Sequence, residues 1–265
     1  MKELLIDLGY ILNPTARQFI RGLSLNRSIE NLHLYSDSHE SSEKFHLFIP
    51  FLQNNQTIKT LYINNMMGVI GYRALAFMLL NPNCNLSELK LQDTEIDDEM
   101  ATILASGLNG NETLRDLHLN WNDARWNQDI TDHGLQAIFD TFPNQGFRLE
   151  KLTIGRSFIS AAAVLSLSTA LGVNTTIKSL VLFQTNIATS AGWQDLFVGL
   201  VQSPDCTLES LIISHTGMFA GFAGTRMNDD IVQSLTDALA VNGSLMELEL
   251  NCNQGVTAVV LSSNH

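Results

Sequence analysis

Side chains able to do acid–base, nucleophilic or metal chemistry are present in this chain, but not in the groupings that such chemistry needs. Paired carboxylates occur at Asp97/Asp98 and Asp229/Asp230. Such pairs suit general acid–base work only where their surroundings push the two pKa values apart. Both stand at equivalent places just ahead of an apolar helical stripe, so they are expected to serve helix starts, where a carboxylate meets the positive end of the helix dipole. The seven histidines are scattered without ligand spacing, and neither a metal site nor a cofactor is expected. Of three cysteines, Cys84 and Cys206 lie in the matching phrases NPNCNL and SPDCTL, as small structural residues rather than a disulfide pair. The phosphate loop, the G-x-S-x-G elbow and the H-E-x-x-H pair are all missing. No enzyme is expected. What remains are the residue types of binding surfaces, chiefly tyrosine, tryptophan, phenylalanine and arginine.

The elements that must position them follow from a repeat. Three apolar residues at positions one, four and six return nine times, opening at Met1, Ile29, Ile58, Leu86, Leu114, Leu149, Ile177, Leu208 and Leu245. The steps are 28, 29, 28, 28, 35, 28, 31 and 37 residues, and all 27 positions are Leu, Ile or Met. A fixed period of this length is the mark of a stacked repeat. Positions four and six share one face of a short strand, while positions three, five and seven share the other. The segment after the fourth copy places Ile96, Met100, Leu104 and Leu108 at four-residue steps, one stripe of a helix, with Asp97, Asp98 and Glu99 in its first turn and Asn109-Gly110-Asn111 at its end. One strand plus one helix makes a repeat. Stacking nine of them gives a parallel sheet with helices outside and a core between, and the strand side becomes a concave wall about 40 Å long.

The phrase LxxLxLxx(N/T)x(I/L) followed by a helix resembles the leucine-rich repeats of the ribonuclease-inhibitor type, seen also in Ran GTPase-activating proteins and NOD-like receptors. The resemblance covers residues 1–265 as a single domain. It implies an α/β leucine-rich-repeat solenoid, a horseshoe with the parallel sheet on its concave face and helices on its convex face, and it implies protein ligands. The ninth position is Asp37, Thr94, Asn122, Ser157, Thr185, Thr216 and Asn253, short polar groups able to bond the turning backbone, while Gly9 and Met66 depart from it. The chain also departs from ribonuclease inhibitors proper, which are rich in cysteine. Regulation of a small GTPase, or a sensor role in a NOD-like receptor, are the alternatives the resemblance leaves open, although the acidic tail of the GTPase activators is missing.

Fifteen basic against 27 acidic residues give a formal charge of −12. That disfavours nucleic acid and anionic membranes and favours a basic protein partner. No apolar stretch reaches the length of a membrane span and no signal peptide opens the chain, so an intracellular, cytoplasmic protein is expected. Six N-x-S/T matches begin at Asn26, Asn55, Asn85, Asn111, Asn174 and Asn242. Five of them fall three residues before a first anchor, and are read as turn chemistry, with Asn in the left-handed turn that ends each helix. Met1 already fills an anchor and only QGVTAVVLSSNH follows the last repeat. Bare end strands recruit other chains. The expectation is therefore a fragment of a longer protein, with self-association through its ends.

Register alone lists the wall. Tyr35, Tyr62, Lys90, His118 and the next-position Trp121 fall within four adjacent strands; Arg156 follows, and Phe183 and Ile212 make an apolar patch with Val181. Two insertions leave one rim, the first carrying Arg125 and Trp126 and the second Met218, Phe219, Phe222 and Arg226. Partner contacts are expected from the wall and from these loops, because loops on a rigid scaffold commonly carry specificity.

Overall fold

The computed structural model describes residues 2–10, 13–35, 45–64, 68–94, 96–120, 130–144, 146–187, 189–202, 206–214, 228–251 and 261–262. In every repeat the strand occupies positions three to seven of the apolar phrase. These strands are β1 Glu3–Asp7, β2 Asn31–Tyr35, β3 Thr60–Asn64, β4 Glu88–Gln92, β5 Asp116–Asn120, β6 Lys151–Gly155, β8 Ser179–Phe183, β10 Ser210–Ser214 and β11 Glu247–Asn251. All nine pair in parallel and in sequence order, with like positions opposite one another. Helices alternate with them: α1 Asn13–Leu25, α2 Ile49–Asn54, α3 Gly68–Leu79, α4 Asp98–Leu108, α5 Asp132–Phe139, α6 Ala161–Val173, α7 Ser190–Gln202 and α8 Asp229–Val241.

Two features go beyond one strand and one helix per repeat. A second, two-stranded parallel sheet joins β7 Phe158–Ile159 to β9 Asn186–Ile187, where the chain, turned sharply after β6 and β8, extends again before the next helix. The expectation of a bare last strand is also corrected in part, since β12 Leu261–Ser262 pairs antiparallel with Glu247 and Leu248 of β11.

The core lies between sheet and helices. Position four is wholly buried from Leu32 through Leu211, and position six is nearly so from Ile6 to Leu250. These side chains belong to one cluster of buried residues, so the apolar layer is continuous along the stack. Where a helix is short, phenylalanines fill the space. Phe45, Phe48 and Phe51 do so around the six-residue α2, and Phe139, Phe142 and Phe147 around α5, with the rings of Phe142 and Phe147 stacked at 5.2 Å.

Polar groups then fix one repeat against the next. The carbonyl at position two accepts from the N–H groups of positions two and three of the following repeat, from Lys2 with Glu30 and Asn31 through to Glu209 with Met246 and Glu247. The acid pair at α4 is structural, as its position suggests. Asp97 is the N-cap and accepts from the Met100 N–H at 2.8 Å. Asp98 reaches across to the next repeat, where it accepts from the N–H of Thr131 at 2.7 Å, its hydroxyl at 2.6 Å and the N–H of Gly134 at 3.0 Å. Asp132 repeats the move one step on, accepting from the Ser160 hydroxyl that caps α6.

The asparagines before the strands act differently from the left-handed turn expected of them. Asn55, Asn174 and Asn242 are extended, near φ −80° and ψ +130°. The side-chain oxygen does the turning: Asn174 Oδ1 accepts from Thr176 and Ile177 at 2.8 and 2.7 Å, while its amide donates to the Phe142 carbonyl at 2.7 Å. Asn26, Asn55, Asn111 and Asn242 make the same pair of acceptor bonds. Asn111 and Asn174 are buried, with their amides committed to backbone.

Two stability tests follow. Asn174→Ala leaves two N–H groups and a carbonyl without their partner and should cost about 2–4 kcal/mol in urea unfolding. Asp98→Ala should cost about 1–3 kcal/mol at neutral pH. Burial opposes ionisation of Asp98, but the hydrogen bonds from Thr131 and Gly134 outweigh it and hold the carboxyl below its ordinary value. Its contribution is therefore complete above the ordinary carboxylate range and is lost as the pH falls through the folded-state value. The gap between wild type and variant should narrow in acid.

Candidate functional site

Because side chains alternate along a strand, positions three, five and seven of the nine parallel strands make one continuous face. Position five reads Leu5, His33, Tyr62, Lys90, His118, Thr153, Val181, Ile212 and Glu249, each opposite the next. Tyr35 and Phe183 stand in the position-seven row of the same sheet, on β2 and β8. Tyr62, Lys90 and His118 are thus brought together as direct cross-strand neighbours, and Phe183 and Ile212 sit on adjacent strands further along. All six are half-buried. Trp121, Trp126, Phe219 and Phe222 lie outside the described residues.

The middle of the face is a polar network. His33 packs edge-on against Tyr62, ring centres 5.3 Å apart. The Tyr62 hydroxyl donates to Gln92 Oε1 at 2.5 Å and accepts from Asn64 at 3.3 Å. Beside it, Glu88 accepts from the Thr60 hydroxyl at 3.1 Å, pairs with Lys90 Nζ at 2.7 Å and lies 3.7 Å from His118 Nε2. Burial opposes ionisation of Glu88, but Lys90 and Thr60 hold its carboxyl below the ordinary value. Asp116, facing Glu88 in register, is pushed the other way by burial and then by the Glu88 charge. Burial, reinforced by the Lys90 and Lys151 charges, lowers the His118 pKa to about 4. His118 is neutral at physiological pH.

Glu88, Asp116 and His118 are ligand-type side chains whose oxygen and nitrogen atoms come within 4.8 Å of one another. The spacing of residues in the chain did not signal this, because the three meet only when two strands are set side by side. Lys90, bonded to Glu88, and Lys151, in register with Asp116, already supply two positive charges to this cluster. We read it as an ion cluster of the wall rather than a metal centre.

Along the rim, position eight turns the chain in the left-handed region, with φ +54° at Asp93, +50° at Arg156 and +50° at Gln184. Non-glycine residues tolerate this conformation only when other bonds hold them. Here each N–H donates to the position-seven carbonyl of the next strand: Asp93 to Asn120 at 2.9 Å, Arg156 to Phe183 at 2.8 Å and Gln184 to Ser214 at 2.8 Å. Arg156 Nε donates to Gln184 Oε1 at 2.8 Å, and its Nη1 lies 4.0 Å from Asp93 Oδ1. Arg156 is accordingly a rim residue tied along the stack, not a member of the wall itself. At the ninth position Thr185 donates to the Ile154 carbonyl at 3.0 Å, as its type suggests, and Thr94 accepts from the buried Tyr72 hydroxyl at 3.1 Å. Ser157 Oγ is buried with no partner among the described residues.

The opposite margin carries a row that went unread in the sequence. Position two reads Lys2, Glu30, Lys59, Ser87, Arg115, Glu150, Lys178, Glu209 and Met246. Alternating signs pair across repeats: Lys2–Glu30 at 3.6 Å, Lys59–Glu30 at 3.2 Å, Arg115–Glu150 at 3.4 Å and Lys178–Glu209 at 3.0 Å.

Comparison with known proteins agrees with the geometry. The chain is 30% identical to mouse (Mus musculus) ribonuclease inhibitor over 190 residues, 72% of this chain and 38% of the inhibitor, and 29% identical to the pig (Sus scrofa) inhibitor over 71% of this chain and 38% of the inhibitor. It is 30% identical to mouse NACHT, LRR and PYD domains-containing protein 12 over 60% of this chain and 14% of that protein. The solved structure of the Rad7 and Elc1 complex in yeast is similar over 97% of this chain and 66% of that one, at 18% identity and a TM-score of 0.47. No family model matches the chain. The stacked strand–helix units make the chain a leucine-rich-repeat solenoid, and its sequence is similar to that of ribonuclease inhibitors. It spans well under half the length of the curated relatives it matches.

His118 offers a direct check of the wall's electrostatics. Its ring should titrate near 4 by NMR, and Lys90→Met, which removes one of the charges opposing protonation, should move the midpoint upward. Below the ordinary imidazole value of 6.5 the unfolded chain takes up a proton that the folded chain refuses until about 4, so stability should fall through that window.

Proposed function

We propose that this chain is a non-enzymatic scaffold that grips another protein on its concave sheet face. The observation that carries the reading is the single in-register face, on which Tyr35, Tyr62, Lys90, His118, Phe183 and Ile212 stand half-exposed. Tyrosines and other large side chains on a rigid sheet offer wide contact area with little entropy to lose. The two insertions bearing Trp126, Phe219 and Phe222 belong to the same proposal as flanking contacts, as does Trp121, which follows β5. In the middle of the wall Glu88, Lys90 and His118 lie against one another, which serves positioning better than proton transfer.

A second reading has its own support. Similarity to a NACHT, LRR and PYD domains-containing protein suggests that such a wall can work as the recognising portion of a larger receptor. A phosphate loop encoded upstream in the full gene would decide in its favour. Regulation of a small GTPase has only the shared repeat behind it.

The test compares what the wild-type chain and a Tyr35→Ala, Tyr62→Ala, Phe183→Ala variant capture from native lysate, after circular dichroism shows equal folding. A partner retained by the wild type and reduced about tenfold or more in the variant supports the wall. Equal capture by both would move the site to the rim loops or the convex helices.

A further inference from the structure

The glutamates on the strand side of the solenoid are not treated alike. Glu30, Glu88, Glu150 and Glu209 each have a lysine or arginine within 3.6 Å, and Glu3 lies 3.5 Å from the His33 ring. Glu247 and Glu249 of β11 have none among the described residues. Glu247 accepts from the Ser210 hydroxyl at 2.6 Å and Glu249 from the Asn251 amide at 3.0 Å, both neutral donors. The margin beside them ends in Met246, 63% exposed, where the alternating row would place a lysine or arginine. Glu247 stands in the position-three row and Glu249 in the position-five row, where Val181 and Ile212, aliphatic side chains on the solvent face of the sheet, come immediately before it. An apolar step followed by two carboxylates without cations is thus built into three neighbouring strands.

Strand spacing turns this into a pattern. From the midpoint of Val181 and Ile212 to Glu249, the partner of Ile212 in register, is about one and a half strand spacings, or ~7 Å. Side chains two residues apart in an extended chain are separated by about 6.6–6.8 Å. We infer that this end of the wall takes an extended protein segment running along the solenoid axis, with an aliphatic or aromatic side chain over Val181 and Ile212. A lysine or arginine two residues on then answers Glu247 and Glu249. The net charge of −12 draws such a segment in. This rests on the concave-face reading above and names the chemistry of its partner.

The probe is a random twelve-residue peptide display library selected against the immobilised full chain, with winners resynthesised and measured by fluorescence anisotropy. Enrichment of an apolar–any–Lys/Arg pattern is expected, with affinity falling as salt rises. Glu247→Gln with Glu249→Gln should weaken these peptides about tenfold or more, a change of about 1.4 kcal/mol. Ile212→Ser should weaken them independently, and both variants are checked for native circular dichroism. Enriched peptides without the basic residue at that spacing, or indifferent to the double glutamine variant, overturn the inference. If the peptides depend instead on Tyr62 and His118, the inference fails and the concave-face reading stands. If no peptide depends on any wall residue, both fail. Concentration-dependent dimerisation abolished by the double variant would give the face to a second copy of the chain and overturn the inference as well.

Discussion

Strands in a sheet sit about 4.8 Å apart, while packed helices need 8–10 Å, and every repeat has to satisfy both spacings with one set of apolar side chains. The anchors at positions four and six do this. They lie flat between the layers, wholly buried in the middle of the stack, and transmit the strand spacing to the helices behind. Curvature of the wall is the geometric result of the mismatch. Where helices approach closely, side chains must vanish: a Cβ on Gly107 of α4 would stand 2.6 Å from the Ala76 backbone of α3. Where helices shorten, as at α2 and α5, phenylalanines restore the thickness of the layer.

The same constraint orders the polar groups. Since each repeat stands on its predecessor with identical register, one residue type at a given position meets its equivalent again and again. The helix-start carboxylate Asp98 therefore serves two helices, its own by charge and the next by hydrogen bonds, while Asp132 holds the Ser160 hydroxyl that caps the helix after its own. The strand-leading asparagines close their turns with a side-chain oxygen in place of a strained backbone. The solvent side of the sheet is left free to vary, and there the variation is pronounced: aromatic and polar at β2 and β3, charged at β4 to β6, aliphatic at β8 and β10, acidic at β11.

Much of this was legible in the chain. The period fixes the strands to the residue, because two apolar positions two apart admit only one pleat, and the wall residues follow by counting. Tyr62, Lys90 and His118 are neighbours for that reason alone. Other features depend on distances that a repeat count does not carry. The approach of Glu88, Asp116 and His118 requires the rotamers of side chains from two strands, and the φ values of Asp93, Arg156 and Gln184 are set by hydrogen bonds to the following strand. The asparagines were assigned to the right turn by the wrong conformation, since residue type signals a preference for tight turns but not whether the backbone or the side chain makes them. The charge row at position two was present in the sequence all along. It reads as scattered lysines and glutamates until the carbonyls of that position are seen to line one margin.

That margin bears on how such a chain can change over evolutionary time. Each ion pair in it is exposed and individually worth little, but their signs alternate, so the row repeats every two units while the fold repeats every one. Excising the unit that carries Lys178 would bring Glu150 against Glu209, and duplicating it would set lysine against lysine. Removing the units of Glu150 and Lys178 together would bring Arg115 against Glu209, its opposite. Along this stretch, growth and loss of the solenoid are easier by pairs than by single repeats, a grammar imposed by electrostatics on a backbone that would accept either.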